Sequence, residues 1–307
     1  MNIVVTGGAG FIGSHLVDQL IQEDHRVLVI DNLSTGVDSF VNKKAIFQHM
    51  DIRDSAIEKI FQDFQPEYVF HLAAQTMVPV SMDNPRMDCD VNLMGLINIL
   101  EACHKVGVKK ILMPSSAAVY GDLETLPLVE TEVGVPTSFY GLTKLTTEGY
   151  LRIFSQYYNL PYVCYRYANV YGPRQGRGGE GGVISIFVDH IANDQDITVF
   201  GDGEQTRDFV YVADVVNATL AGMREGVTGI YNVSTNTGTS VNQLIQHLQI
   251  AAGKEVTVHY QPARLGDIKH SRLDNTKAQQ ELYVEPKMEL LQGLANTYQY
   301  FVAHKDD

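Results

Sequence analysis

Apolar residues in this chain alternate between short β-branched runs and longer stretches in which they recur every three or four positions. The first run, Met1-Asn-Ile-Val-Val5, has the form of a buried parallel strand. After a glycine-rich turn, Leu16, Val17, Leu20 and Ile21 repeat at helical spacing between Ser14 and Gln22. Arg26-Val-Leu-Val-Ile30 predicts a second strand, Glu67 to Leu72 another, Asn92 to His104 a helix, Lys110 to Met113 a strand, Thr137 to Tyr158 a long helix and Tyr162 to Tyr165 a further strand. Strands joined by crossover helices predict an α/β fold with a doubly wound parallel (Rossmann) sheet. Ligands of such sheets gather at the carboxyl ends of the strands. The loops of interest are therefore Asp51-Ile52, Ala73-Ala74-Gln75, Ser115-Ser116 and Tyr167 to Asn169.

Composition narrows the picture without changing it. A chain of 307 residues with 45% apolar content can fill one large or two smaller cores. A net charge of -13 argues against a nucleic-acid surface. No basic leader and no apolar run of membrane-spanning length is visible, which predicts a soluble cytoplasmic protein with no membrane partner. Cys89, Cys103 and Cys164 are too scattered for a disulfide framework, and His190, His247 and His259 lack metal-ligand spacing, so no metal site is expected. Gly176 to Gly182 is glycine-rich and reads as a mobile loop over a substrate.

Two motifs carry chemistry. Thr6-Gly-Gly-Ala-Gly-Phe-Ile-Gly13 lies between a strand and a helix, the setting in which Gly7 and Gly10 let the backbone approach a pyrophosphate and Gly13 lets the helix pack on the strand. The second strand ends at Asp31, placed to hold a ribose 2′-hydroxyl and to repel a 2′-phosphate, which favours NAD over NADP. Tyr140 and Lys144 stand one helical turn apart. A phenol with an ordinary pKa near ~10 is a poor base at neutral pH unless a cation stabilises its phenolate. Lowering it by roughly three units needs about 4 kcal/mol, which Lys144 and a nicotinamide cation would share.

The ordered set formed by the glycine motif, Asp31-Asn32, Asp51-Ile-Arg-Asp54, His71-Leu-Ala-Ala-Gln75, Ser115-Ser-Ala-Ala-Val-Tyr-Gly121, Tyr140-x-x-x-Lys144, Arg166 to Pro173 and Thr206 to Asp214 resembles the extended short-chain dehydrogenases/reductases, specifically the UDP-glucose (UDP-galactose) 4-epimerases. The resemblance spans about residue 1 to residue 280. It implies an NAD-binding domain over residues 1 to about 168, with returning segments near 208 to 233, and a smaller C-terminal α/β nucleotide-sugar domain over 169–207 and 234–307. The implied cofactor residues are Gly7, Gly10, Phe11, Ile12, Gly13, Asp31, Asn32, Ser34, Thr35, Gly36, Asp51, Ile52, Leu72, Ala73, Ala74, Gln75, Asn92, Tyr140, Lys144 and Tyr167. Asn92 alternatively caps its own helix. For a UDP-hexose the resemblance implies Ser116, Asn169, Val183, Arg207, Arg264, Asp267 and Ser271, with the arginines facing the diphosphate. His71, at the end of an apolar strand, reads as a hydrogen-bonded core histidine.

One departure inside the motifs selects the reaction. In the sugar 4,6-dehydratases of this superfamily an Asp-Glu pair follows the serine at Ser116, and here Ala117 and Ala118 stand in its place. Alanine cannot expel water, so reversible oxidation at one carbon is what the set supports: Tyr140 as base, Lys144 as its cation, Ser116 as the bridging hydroxyl. A second departure is Ser271, where members restricted to glucose and galactose tend to carry a tyrosine; serine leaves room for an N-acetyl group on the sugar. The helix at Asn92 and the long helix ending in Tyr157-Tyr158 would pair in a homodimer, as the resemblance suggests. A UDP-uronate 4-epimerase or a reductase is the alternative, and a non-catalytic NAD-binding scaffold is disfavoured because Ser116, Tyr140 and Lys144 are all present.

Overall fold

A computed structural model describes residues 1–132, 134–176, 182–263 and 268–305. In chain order its first half runs β1 (Asn2–Thr6), α1 (Phe11–Gln22), β2 (Arg26–Asp31), β3 (Ile46–His49), α2 (Ile57–Phe64), β4 (Tyr68–His71), α3 (Val78–Asp83), α4 (Pro85–Cys89), α5 (Gly95–Val106), β5 (Lys110–Ser116) and α6 (Phe139–Tyr158). The second half follows as β6 (Tyr162–Tyr167), β7 (Asn169–Tyr171), α7 (Val183–Ala192), β8 (Ile197–Phe200), β9 (Thr206–Arg207), β10 (Phe209–Tyr211), α8 (Val212–Ala221), β11 (Gly229–Val233), β12 (Thr239–Ser240), α9 (Val241–Ala252), β13 (Val258–Gln261) and α10 (Leu290–Ala303).

Two compact units emerge. The first comprises Met1–Gly121, Val133–Arg166 and Val216–Tyr231; the second Asp122–Glu132, Tyr167–Val215 and Asn232–Asp307. A seven-stranded sheet organises the first in the order β11-β6-β5-β4-β1-β2-β3. Ile3, Val4 and Val5 pair in parallel with Val27, Leu28 and Val29 on one side and with Tyr68, Val69 and Phe70 on the other. The predicted doubly wound sheet is therefore present. Because β1 lies between β2 and β4, the strand order reverses there and opens a crevice beyond the carboxyl ends of β1 and β4. Val4, Leu28, Ile57, Phe61, Leu96, Ile99 and Ile111 form one buried cluster beneath the sheet. Each such side chain stabilises the unit by roughly 1.5–3 kcal/mol relative to exposure.

The second unit is built from smaller ladders. β7 pairs in parallel with β10, β8 in parallel with β13, and β9 antiparallel with β12. Asp122–Glu132 joins this unit because Leu128 N–H bonds the Arg272 carbonyl, its own carbonyl accepts from Asn232, and the Glu130 carboxylate accepts the Asn232 N–H. Helix α9 opens with a reciprocal cap, Ser240 and Gln243 each accepting the other's N–H, and closes at Gly253 in the left-handed region. Among the described residues no helix is long and apolar enough to cross a membrane. Of the glycine-rich loop, residues 177–181 lie outside the described residues, as do Arg264 and Asp267.

Candidate active site

The carboxyl end of β1 forms a cradle that only glycine permits. Gly7 has φ +71°, and a Cβ there would lie 2.5 Å from the Ala73 nitrogen, so the turn after β1 can touch the loop after β4 only without a side chain. A Cβ on Gly13 would collide with the Gly7 carbonyl. Helix α1 starts at Phe11 with Gly10 before it and no side-chain cap. The N–H groups of Phe11, Ile12 and Gly13 thus have no acceptor within the helix, and the helix dipole favours an anion at that spot. Buried Asp31 closes β2, and its carboxylate accepts from Ala9 N–H at 3.0 Å and Leu33 N–H at 2.9 Å. The Ser34-Thr35-Gly36 loop is then drawn onto the glycine turn through Val37 N–H and the Ala9 carbonyl, 2.9 to 3.1 Å being the usual range for such bonds and 3.0 Å the distance here. Backbone approach, an uncapped helix start and an acid on the next strand fit a dinucleotide diphosphate with its ribose.

Next to this cradle lies a cluster of exposed charges. Asn32 Nδ2 donates to Asp51 Oδ2 at 2.8 Å, and Arg53 bridges Asp51 (2.7 Å) and Asp90 (2.6 Å). The hydrogen bond from Arg53 holds the Asp51 carboxyl well below the usual carboxylate range, and Arg53 is correspondingly raised by its two carboxylates. Ile52 is buried with its side chain over Gly95, where a Cβ would come within 2.5 Å of Ile52 Cδ1, and its carbonyl accepts from Asn98.

The catalytic residues expected on the long helix fall in its first turns. Ser138 caps α6 by accepting Gly141 N–H at 3.1 Å, and Ser81 Oγ accepts Tyr140 N–H at 3.1 Å. Tyr140 is buried, and burial raises its phenol while a hydrogen bond with Ser116 lowers it. Lys144 Nζ donates to the Pro114 carbonyl at 3.2 Å and lies 6.0 Å from the centre of the Tyr140 ring. Burial pushes this lysine down to about 8, against the opposing pull of Cys164, Asp88 and Glu148. The direction for Tyr140 thus differs from the expected one, because burial outweighs the hydrogen bond with Ser116. His71 is a buried neutral imidazole, its Nδ1 2.8 Å from Thr6 Oγ1 and its pKa pushed down to about 3 by burial and by Lys144.

Asn92 departs from its expected role as a helix cap. The helix predicted to begin there starts earlier: α4, a π-helical turn at Asp90–Met94 and α5 follow one another from Pro85 to Val106. Asn92 therefore caps nothing. Its Oδ1 accepts Gln75 N–H at 2.9 Å and its Nδ2 donates to the Gln75 carbonyl at 3.0 Å, which fastens the loop after β4. The sequence reading missed Asp88, Ser81 and Thr143, which share this buried network. Asp88 and Asn92, two polar residues one helical turn apart, were its signal in the sequence. Cys103 and Cys164 are buried, whereas Cys89 is exposed rather than part of the core.

In the second unit, Tyr167 ends β6 and Asn169 begins β7, its N–H bonded to the Asp208 carbonyl at 2.8 Å. Val183 is the first residue of α7. Arg207 lies in β9, its guanidinium bonded to the Thr206 carbonyl, and Ser271 N–H donates to that same carbonyl at 3.2 Å. These two predicted residues, distant in sequence, are thereby joined through one backbone carbonyl.

Known proteins share this arrangement. A crystal structure of UDP-glucose 4-epimerase with UDP-glucose from Thermotoga maritima is 45% identical, with a TM-score of 0.97 and 100% of both chains covered. The UDP-glucose 4-epimerase of Mycolicibacterium smegmatis is 40% identical over 98% of each chain. A UDP-N-acetylglucosamine 4-epimerase from Methanobrevibacter ruminantium, solved with UDP-N-acetylmuramic acid, is 36% identical with a TM-score of 0.94 over 98% of each chain. Residues 3–234, which contain the glycine cradle, the Tyr140-Lys144 turn and Arg207, match the model of the NAD dependent epimerase/dehydratase family, and the chain belongs to that family.

Proposed function

We propose that this protein interconverts the C4 epimers of a UDP-hexose, UDP-glucose and UDP-galactose first among them. The observation that carries this reading is the pairing of Tyr140 with Ser116 directly before Ala117 and Ala118. That set can move a proton at one hydroxyl and has no acid to expel a second group. NAD held in the glycine cradle would supply reversible hydride transfer at C4 and a positive charge beside the buried phenolate. Tyr140 takes the proton from the sugar 4-hydroxyl and gives it back, Ser116 bridges the two oxygens, and Lys144 holds the phenolate charge. Gly7, Gly10, Phe11, Ile12 and Gly13 receive the cofactor diphosphate; Asp31, Asn32, Asp51 and the 34–36 loop receive the adenosine end. Asn92 serves by holding Gln75 in place. Asn169 and Arg207 anchor the substrate diphosphate and Val183 meets the sugar nucleotide, while Arg264 and Asp267 are assigned a phosphate and a ribose contact from the sequence resemblance alone.

Incubating purified protein with UDP-glucose, UDP-N-acetylglucosamine and UDP-glucuronate and separating the C4 epimers tests the reading. Epimer formation without net NADH release is expected, with NAD recovered from denatured protein. Stoichiometric NADH release would identify a redox enzyme instead. Ser271 is the proposed gate for the sugar C2 substituent, so Ser271→Tyr should suppress N-acetylated substrates and spare UDP-glucose. Equal loss on both would remove the gate.

We also infer a homodimer through α6, where Phe139, Leu142, Tyr150, Ile153 and Tyr157 leave an exposed apolar stripe at spacings of three, eight, three and four. Ile153→Asp with Tyr157→Asp should halve the mass measured by light scattering. A parent that is already monomeric would remove this assignment.

A further inference from the structure

Asp88 is a carboxylate with no exposed surface and no cationic hydrogen-bond partner. Three segments converge on it: Gln75 Nε2 at 2.6 Å from the loop after β4, Thr143 Oγ1 at 2.8 Å from α6, and Asn92 Nδ2 at 3.2 Å from one turn further along its own helix. The orientation of both amides is fixed independently. Gln75 Oε1 accepts Met77 N–H and Asn92 Oδ1 accepts Gln75 N–H, so each NH2 group is turned toward Asp88. Three neutral donors from three segments thus converge on the two carboxylate oxygens. Burying such an anion without a paired cation costs several kcal/mol, and neutral donors offset this only in part.

Lys144 is the cation within electrostatic reach, and the groups facing it can be followed element by element. From β4 comes neutral His71; from β5, the Pro114 carbonyl; from β6, Cys164, whose thiol burial pushes up so far that it stays uncharged. From α6 itself come the Tyr140 phenol and Glu148. The latter is neutralised by Arg166 through bonds of 2.8 and 3.0 Å, and it also accepts from Ser115 at 2.6 Å. What is left without a compensating charge is Asp88, which acts on both Lys144 and Tyr140.

We propose that Asp88 is the positioning residue of the acid/base pair: it clamps the Ala73-Ala74-Gln75 loop to the helix turn carrying Tyr140 and Lys144, and it supplies the counter-charge that keeps Lys144 cationic in a dry site. This rests on the reading of Tyr140 and Lys144 given above. The two roles have separate signatures, geometry setting the height of a pH profile and charge setting its position.

Asp88→Asn is nearly isosteric and removes the charge. Tyr140 ionisation is followed by phenolate absorbance in the protein as purified with its NAD, subtracting the same titration of Tyr140→Phe in each background. Loss of a neighbouring anion lowers the proton affinity of both members of a coupled pair. Both proton losses, and both limbs of the activity profile, should move to lower pH by about one unit, tenfold in each dissociation constant. Unmoved limbs, or limbs displaced to higher pH, overturn the counter-charge role. Thr143→Val keeps the charge and removes one donor, and it decides the clamp even where Asp88→Asn does not accumulate. Lower kcat with unmoved limbs supports it, and unchanged kcat or displaced limbs overturn it. Because phenolate absorbance is read without turnover, a chain that epimerises no UDP-sugar would defeat the functional reading and leave this one decidable.

Discussion

The adenosine end of the proposed cofactor site and its catalytic end treat charge in opposite ways. Around Asp51, Arg53 and Asp90 the charges are exposed, mutually paired and reinforced: Asp51 is driven further toward its anion and Arg53 further toward its cation. Around Lys144 and Tyr140 the environment is dry, and burial pushes both toward their neutral forms. Groups of the first kind keep one protonation state at every physiological pH and can serve as fixed hydrogen-bonding surfaces. Of the second kind, Lys144 is pushed down to about 8, close to a change of state, and the Tyr140 phenol is held protonated by burial. One domain thus supplies a static grip and a titrating centre a few turns of chain apart.

The largest effect should come from the titrating centre. Tyr140→Phe is expected to lower turnover by a factor on the order of 10² to 10⁴ with little change in substrate binding, measured by steady-state epimer formation. Turnover close to the parent's would break the contrast at its strongest point. Next in size is a stability effect from the pair that screens this centre. Glu148 and Arg166 have side chains only 4% and 6% exposed. Glu148→Gln leaves a buried guanidinium without its partner, which should destabilise folding by about 3–5 kcal/mol in a denaturant titration. A loss below about 1 kcal/mol would show that the pair behaves as a surface pair does.

The same division separates what the sequence reveals from what it conceals. The glycine cradle, Asp31 and the Tyr140-Lys144 turn are legible because each is a local pattern: a turn that excludes Cβ atoms, a strand end, two residues on one helical turn. Every predicted strand of the sheet is present, with ends that differ: the strand from Lys110 runs on to Ser116, and the one expected over Glu67 to Leu72 is trimmed to Tyr68–His71. The buried polar network is not legible, because Asp88, Gln75, Asn92 and Thr143 come together only through the packing of α4, α5 and α6. Nor is the π-helical turn at Asp90–Met94, whose extra residue shifts the helix face and turns a presumed cap into an interior clamp. The excursion of Asp122–Glu132 into the second unit likewise rests on bonds to Asn232 and Arg272, more than a hundred residues onward.

A pH prediction follows from His71. Its folded pKa, about 3, lies below the ordinary histidine value of 6.5, so in acid the unfolded chain takes up a proton that the folded protein refuses. More protons bound by the unfolded state means that stability rises with pH across that window. The contribution is therefore fully present above about 6.5 and is lost progressively as pH falls toward 3. Denaturant midpoints measured between these limits should fall with acidity, and His71→Asn should flatten the slope. An identical slope in the variant would place the acid sensitivity elsewhere.

The smallest effect should come from the static end, and its smallness is the point of the test. Arg53 is 37% exposed in its side chain and spans two carboxylates that water also reaches. Pairs of this kind are typically worth about 0–1 kcal/mol and weaken as salt screens them. Arg53→Gln should therefore change the denaturation midpoint by less than about 1 kcal/mol, and by less still in high salt. The release of Asp51 should matter more to the cofactor than to the fold, since Arg53 holds the carboxylate that also accepts from Asn32. NAD retention after gel filtration should decline while the melting temperature barely moves. A stability loss as large as that of Glu148→Gln would erase the difference between the two ends, because it would mean that exposed and buried charge pairs support this fold equally.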